Sequence, residues 1–273
     1  MKLIDGNNFI SHYLKISKPF IAGKIGGAEL KLLYAYLNNI KQSQADIIEV
    51  STISGVQPYN KENVAKYANC LLDALSSVDA LAMWDRVIPG FEQHICEKSE
   101  CYPIRLHDLE PYYYDEKPWC HQLKGKNVLL ISPFTESAKK QYAQKDKVWP
   151  YGLLPDFNLL TIKYPTSNLL SKNPVDKSIF DFVNETNDKI DKVDFDVAII
   201  GAGAASLLLA SHIKQQGRSA IHMGGATQIL FGIRGNRWDN FPQFQKFFNE
   251  HWIRPSKDET PEKANLAESG CYW

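Results

Sequence analysis

Short apolar runs alternate with amphipathic stretches along most of the 273-residue chain. Residues 18–25, 47–53, 80–84, 127–132, 157–163, 197–200 and 219–223 read as strands. The run at 127–132 (NVLLIS) is apolar almost throughout, whereas 47–53 alternates and breaks at Gly55. Between them, 28–39, 63–77, 91–98, 136–144, 179–190 and 204–215 carry apolar residues at helical spacing. Continuous apolar strands separated by helices predict an α/β fold: a mostly parallel, Rossmann-like sheet with helices on both faces. Residues 106–119, rich in Tyr, Pro and acid, read as a crossing between two halves. The expected organisation is a single domain over 1–273, with lobes of about 1–115 and 116–273 as its finer division. The last thirty residues have little periodicity but hold Trp238, Trp252 and Trp273, which predicts a packed tail on the surface.

Residues 194–234 are the most informative stretch. Val197-Ala198-Ile199-Ile200 runs into Gly201-Ala202-Gly203, a helix follows, Gly217 stops it, and a second strand ends in Gly224-Gly225. A glycine turn at the start of a helix presents bare backbone N–H groups where the helix dipole favours an anion. The expectation is a pocket for a phosphate or nucleoside diphosphate. The sequence GAGAAS resembles the dinucleotide fingerprint with Ser206 in the third position, but it lies near the C-terminal end. The strand about twenty residues on ends in His222-Met223 and lacks the ribose-binding carboxylate. No redox cofactor is therefore expected, and an NAD-linked oxidoreductase is the weakest of the enzyme readings.

Composition narrows the classes further. Basic and acidic residues balance at 31 each, so no global field draws nucleic acid or an acidic membrane. No apolar run has membrane-spanning length, and the first fifteen residues lack the apolar core of a signal peptide. The five cysteines form no CxxC pair, which argues against zinc and a disulfide framework and for a reducing cytoplasm. A position peripheral to the inner membrane stays open through partners. There is no P-loop, no Gly-x-Ser-x-Gly elbow and no Ser-His-Asp pattern.

Two segments resemble the bacterial glycosyltransferases of the GT-D fold, a family first filed as a domain of unknown function. Its N-terminal strand ends in an Arg-Phe-Gly-Asp-Gly-Glu type motif that supplies an Asp-x-Glu metal site for the nucleotide sugar. Here the segment reads Lys24-Ile25-Gly26-Gly27-Ala28-Glu29. The family's C-terminal Gly-Pro turn, and its strand ending Asp-Ile-Gly-His, have counterparts in Gly201-Ala202-Gly203 and His222-Met223-Gly224-Gly225. Over nearly its whole length the chain also resembles bacterial proteins found with polysaccharide genes, through SPF at 132–134, GGATQ-LFGI-G-RW at 224–238, HW-RPS at 251–256 and a terminal CYW. The resemblance implies a GT-D-like transferase using a nucleoside diphosphate sugar and a glycan or glycolipid acceptor in surface polysaccharide or glycoconjugate synthesis. It implies Mn2+ or Mg2+ at Glu29. Gly27, however, replaces the aspartate of the metal pair, and one carboxylate is a poor anchor for a hard cation. A non-catalytic nucleotide-sugar-binding protein is the alternative which that substitution motivates.

Each candidate residue has a second, purely structural reading. Glu29 follows Gly26-Gly27 in a first helical turn, where it either complements the dipole and caps its own backbone or acts as general base or single metal ligand. Gly201 and Gly203 either permit a tight turn or approach phosphate. Gly224, Gly225 and Thr227 form a second turn, with Thr227 as N-cap of a helix at 228–231 or as a ligand contact. Asp85 and Arg86 end a strand and either line the cleft or pair to fix a loop. Ser54, Gly55 and Gln57 are placed on the same cleft, while Thr135 is expected to cap the next helix. Arg234 and Arg237, with Arg254 later, are candidate bidentate clamps for the diphosphate or solvated charges. His107, His121, His222 and His251 share no metal spacing, although His222 ends a strand beside two glycines. Cys271 is a lone thiol without a neighbouring motif.

Overall fold

Among the described residues, backbone hydrogen bonds join the apolar runs into one sheet of seven strands. The computed structural model describes residues 2–85, 87–171 and 175–273. The strands are β1 (Ile21–Lys24), β2 (Ala80–Met83), β3 (Tyr102–Arg105), β4 (Asn127–Ser132), β5 (Asn158–Lys163), β6 (Val197–Ile200) and β7 (Ser219–His222). Their order is β3-β2-β1-β7-β6-β4-β5, and every neighbouring pair is parallel. Strands from before and after residue 115 thus share one sheet, joined where Ala22 pairs with Ile221.

The helices used below are α1 (Gly6–Lys15), α2 (Gly27–Leu37), α3 (Gln44–Glu49), α4 (Lys61–Leu75), α5 (Phe91–Lys98), α6 (Thr135–Tyr142), α7 (Lys145–Val148), α8 (Ile179–Ile190), α9 (Ser206–Gln215) and α10 (Ala226–Leu230). Side chains alternate across the sheet with period two, so each strand feeds two cores. Ile21, Leu81, Leu129, Ile131, Ala198 and Ile200 pack with α2, α4, α5, α8 and α9 on one face. Ala22, Ala82, Val128, Leu130, Val197 and Ile199 pack with α1, α6, α7 and α10 on the other. This two-sided burial is why β4 and β6 read as unbroken apolar runs. Val128, Leu129, Leu130 and Ile131 are all 0% exposed, and each such side chain contributes about 1.5–3 kcal/mol.

Chain direction changes between β4 and β6. From β4 the chain crosses over one face to β5, and from β6 it crosses the other face to β7. In open parallel sheets ligands bind outside the carboxyl ends of strands at such a switch point.

Two expectations need correction, and two elements were not anticipated. Residues 47–53 are not a strand: Gln44–Glu49 is α-helical and Val50–Ser54 forms a π-helical turn. The Ser43 hydroxyl accepts from the Asp46 N–H and starts the helix, and the Thr52 hydroxyl donates to the Ile48 carbonyl one turn back. These local bonds outweigh the β-branched composition, and Ile48 is 51% exposed rather than facing a core. Helix α1, capped by Asp5, and edge strand β3 were not anticipated. Pro103 inside a four-residue run masks β3, since proline is tolerated in a sheet chiefly at an edge. Thr135 does not cap α6: the Glu259 carboxylate accepts from the Glu136 N–H at 2.8 Å and from the Ser137 N–H at 3.3 Å. The C-terminal segment is packed as expected, and Glu259 pins it to that helix end.

Candidate functional site

The carboxyl ends of β1, β2, β4, β5, β6 and β7 surround one cavity of about 920 Å³. Gly26 and Gly203 both line it, so glycine turns from opposite ends of the sequence share one hollow. Four further turns and the tail complete the wall.

At β1 the backbone of Gly26 caps α2, whose third residue is Glu29. The Glu29 carboxylate folds back over this turn, and a Cβ built on Gly26 would collide with it. Glu29 is 8% exposed. Burial raises its pKa, opposed by its own backbone N–H, the Lys24 charge and the Ser54 hydroxyl. It therefore sits over the helix start and still faces the cavity, where a weaker acid is a better proton acceptor near neutrality.

At β6 the turn approaches the π-helical segment so closely that a Cβ on Gly203 would lie 2.7 Å from the Ser54 carbonyl oxygen, and φ is +54° there. Both conditions require glycine. Gln57 holds the other side of that segment, donating to the Ser51 carbonyl at 2.8 Å and the Ser167 hydroxyl at 2.9 Å. At β7, Gly224 has φ +60°, and the space of its missing Cβ is bounded by the Lys24 side chain, with Cε at 2.8 Å and Nζ at 3.1 Å.

Lys24 is the feature that sequence reading passed over. Its ammonium lies over the Trp84 ring at 4.7 Å. Among the described residues it makes no hydrogen bond and no ion pair within 4 Å. Burial lowers its pKa, with Glu29 pulling the other way. Beside it, burial and then the Lys24 charge push His222 down to about 3, so the imidazole is neutral. His222 Nδ1 lies 3.2 Å from the Ile200 carbonyl oxygen and 3.3 Å from the Gly224 nitrogen. The only early signal for Lys24 was its place at the head of the 24–29 segment.

Gly26, Gly27, Glu29, Ser54, Gly55, Gln57, Ser132, Gly201, Gly203, His222, Gly224, Gly225, Thr227 and Arg237 all line the cavity. Thr227 is not the expected N-cap. It is the second residue of α10, whose cap is Gly225, and its Oγ1 is buried without a hydrogen-bond partner. Gln228 beside it donates to the Tyr272 carbonyl at 2.9 Å, while its Oε1 is likewise buried and unpartnered. Arg237 stacks on Tyr272 at 4.7 Å and pairs with Glu268. Tyr272, Trp273 and Cys271 form part of the wall, so the tail contributes to the site rather than only covering the surface.

Other expected positions fall elsewhere. Asp85 does not line the cavity; its Oδ1 accepts from the Gly90 N–H at 2.9 Å and shapes a loop. Arg86 lies outside the described residues. Arg234 is turned away, paired with Asp239 at 2.9 Å and set over Phe248. Arg254 also pairs with Asp239 and donates to the Trp273 carbonyl at 2.8 Å, which ties down the tail. Cys271 is buried, and burial raises its thiol to about 12, the wrong direction for a nucleophile.

The residues do not fit a divalent cation at Glu29. Among the described residues no three His, Cys, Asp or Glu side chains form a metal-holding group. Glu49 and Glu268, the other acids on the cavity wall, are paired with Lys31 at 2.9 Å and with Arg237. Room is not the obstacle, since a Cβ on Gly27 would meet only Val87 Cγ2, at 3.4 Å. The missing donor and the neighbouring ammonium are the obstacle.

The chain matches no protein-family model and no curated protein. Three solved structures are similar to it over most of its length. One is a selenomethionine-substituted domain of unknown function 1792 (DUF1792), at 15% identity over 83% of this chain and 79% of that one, with a TM-score of 0.48. A second is a glycosyltransferase (DUF1792) from Streptococcus sanguinis, at 13% identity over 83% and 82%, with a TM-score of 0.44. The third is a highly conserved domain of unknown function 1792 described as having a distinct glycosyltransferase fold, at 16% identity over 79% and 81%, with a TM-score of 0.37.

Proposed function

We propose that this chain is a glycosyltransferase that takes a nucleoside diphosphate sugar into the cavity at the carboxyl edge of its sheet. One observation carries this reading. Two glycine turns, the N-terminus of α2 with Glu29, and the cations Lys24 and Arg237 all line the same hollow. Backbone N–H groups at helix starts and a planar guanidinium suit phosphate oxygens. The volume falls in the usual range for small-ligand sites, about 300–1,000 Å³.

In this reading the diphosphate lies against the turns at 201–203 and 224–225, and the sugar faces Glu29. The acceptor hydroxyl oxygen forms a bond to the anomeric carbon. The bond from that carbon to the diphosphate oxygen breaks, and its electron pair leaves with the diphosphate. Glu29 takes the proton of the acceptor hydroxyl. The acceptor is a glycan or glycolipid of surface polysaccharide or glycoconjugate synthesis, and the site of action is the cytoplasm or the inner face of its membrane. No helix among the described residues is long and apolar enough to cross a membrane.

A non-catalytic nucleotide-sugar-binding protein is the second reading, favoured by glycine at position 27. The NAD-linked reading has little support, because β7 ends in a buried neutral His222 where a ribose would need a carboxylate. The deciding experiment is release of nucleoside diphosphate from a panel of nucleotide sugars, with and without lysate glycolipids. The transferase reading expects turnover with at least one donor, and expects Glu29→Gln to lower it by about a hundredfold or more while nucleotide affinity persists. Tight donor binding without turnover would establish the binding-protein reading instead.

A further inference from the structure

We infer that the Lys24 ammonium, rather than a divalent cation, supplies the positive charge that meets the diphosphate in this cavity. The inference rests on the nucleotide-sugar reading and specifies how that site works. Lys24 ends β1 with its amine beside Glu29, over Trp84 and against the Gly224 turn. A lysine surrounded by protein ordinarily has a paired carboxylate. This one makes no ion pair or hydrogen bond among the described residues, although it lines an open cavity. Glu29, Glu110 and Glu92 oppose its charge only at a distance, so a direct partner is left to be supplied by something that enters.

Independent evidence for a polar occupant comes from the same wall. Thr227 is 3% exposed and Gln228 2% exposed, yet Thr227 Oγ1 and Gln228 Oε1 have no hydrogen-bond partner. Both residues line the cavity beside the Gly201 and Gly224 turns. A buried polar atom without a partner is costly, and a bound ligand or its water relieves that cost. The anion class follows from the surroundings: a half-buried amine, the Arg237 guanidinium, the helix start at Gly27 and the turn at Gly203.

The charges also explain why position 27 can lose its carboxylate. A hard cation needs several oxygen ligands, and a resident ammonium next to the single remaining one repels it. As the bond between anomeric carbon and diphosphate oxygen breaks, negative charge grows on the leaving diphosphate. Lys24 stabilises that charge directly, and the neutral His222 beside it adds no competing charge. An arriving diphosphate favours the charged form of the amine, opposing the burial that lowers its pKa.

Calorimetric titration with inorganic pyrophosphate, UDP, GDP and CDP tests this in EDTA and again in Mn2+, for wild type, Lys24→Met and Lys24→Arg. The expected result is saturable binding of wild type in EDTA, changed little by Mn2+. Lys24→Met weakens it about tenfold to a hundredfold, and Lys24→Arg restores most of the loss. Lys24→Met removes a half-buried charge that has no direct partner, so its melting temperature is expected to hold or rise, which separates lost affinity from lost folding. Wild-type binding only in Mn2+, or undiminished binding by Lys24→Met, overturns the assignment of Lys24 and leaves the nucleotide-sugar reading standing. Absence of binding under both conditions overturns both.

Discussion

Lowering the pH from about 7.5 to about 5 charges a histidine in the unfolded chain but not His222 in the folded one. The imidazole is 5% exposed, and burial, then the Lys24 charge, holds its folded pKa at about 3 against an ordinary 6.5. A depressed folded pKa means that the unfolded chain binds the extra proton between those values. The stability contributed by neutral His222 is therefore complete above about pH 6.5 and is lost as the pH falls towards 3. At about pH 5 the loss is set almost entirely by the unfolded pKa, 1.5 units above the solution pH. At 1.36 kcal/mol per unit, it comes to about 2 kcal/mol. The chain holds seven histidines, so the comparison must isolate this one. Urea unfolding of wild type and His222→Gln at both pH values does so, because the other groups titrate in both proteins. Wild type should lose about 2 kcal/mol more than the variant between the two conditions. Equal losses would show that His222 titrates normally and that its surroundings are not the buried, cation-flanked place described above.

Two further perturbations test the cradle. Gly203→Ala places a Cβ in a left-handed conformation and 2.7 Å from the Ser54 carbonyl. It should cost about 1–3 kcal/mol in thermal or urea unfolding and weaken diphosphate binding as the turn shifts; an unchanged melting curve and affinity would contradict the close approach of the two turns. The two arginines that look alike in sequence should behave differently. Arg237→Ala should weaken nucleotide binding by about tenfold or more in calorimetry. Arg234→Ala should leave it within about twofold while costing about 1 kcal/mol of stability through Asp239 and Phe248. The reverse ranking would place the diphosphate on the wrong side of that loop.

Much of the sheet was legible because six of its strands fall on short, mainly apolar runs, and in β4 and β6 burial on both faces leaves no polar alternation to confuse the reading. The glycine turns were legible for the same reason: only a few residue types permit such bends, and both fall directly after strands. The errors have local physical causes. At 47–53 the Ser43 cap and the Thr52 back-bond favour helix over the strand that composition suggests. Asp85 and Arg234 looked available for a ligand but are used within five residues of themselves, by the Gly90 N–H and by Asp239. The largest omission, Lys24, was invisible for the opposite reason. A lysine at a strand end is usually a solvated charge, and its isolation becomes evident only once Trp84, Glu29 and Gly224, from three parts of the chain, close around it. The tail's contribution to the wall depends on contacts such as Arg237 with Tyr272, thirty-five residues apart, which no local pattern encodes.

A crystal structure of the protein soaked with a nucleoside diphosphate in a metal-free buffer tests the central claim most directly. The account predicts phosphate density in the cavity, with its oxygens within hydrogen-bonding distance of the backbone at 201–203 or 224–225 and of the Lys24 ammonium. Nucleotide bound elsewhere on the molecule, or a diphosphate in the cavity with Lys24 turned away from it, would contradict the account.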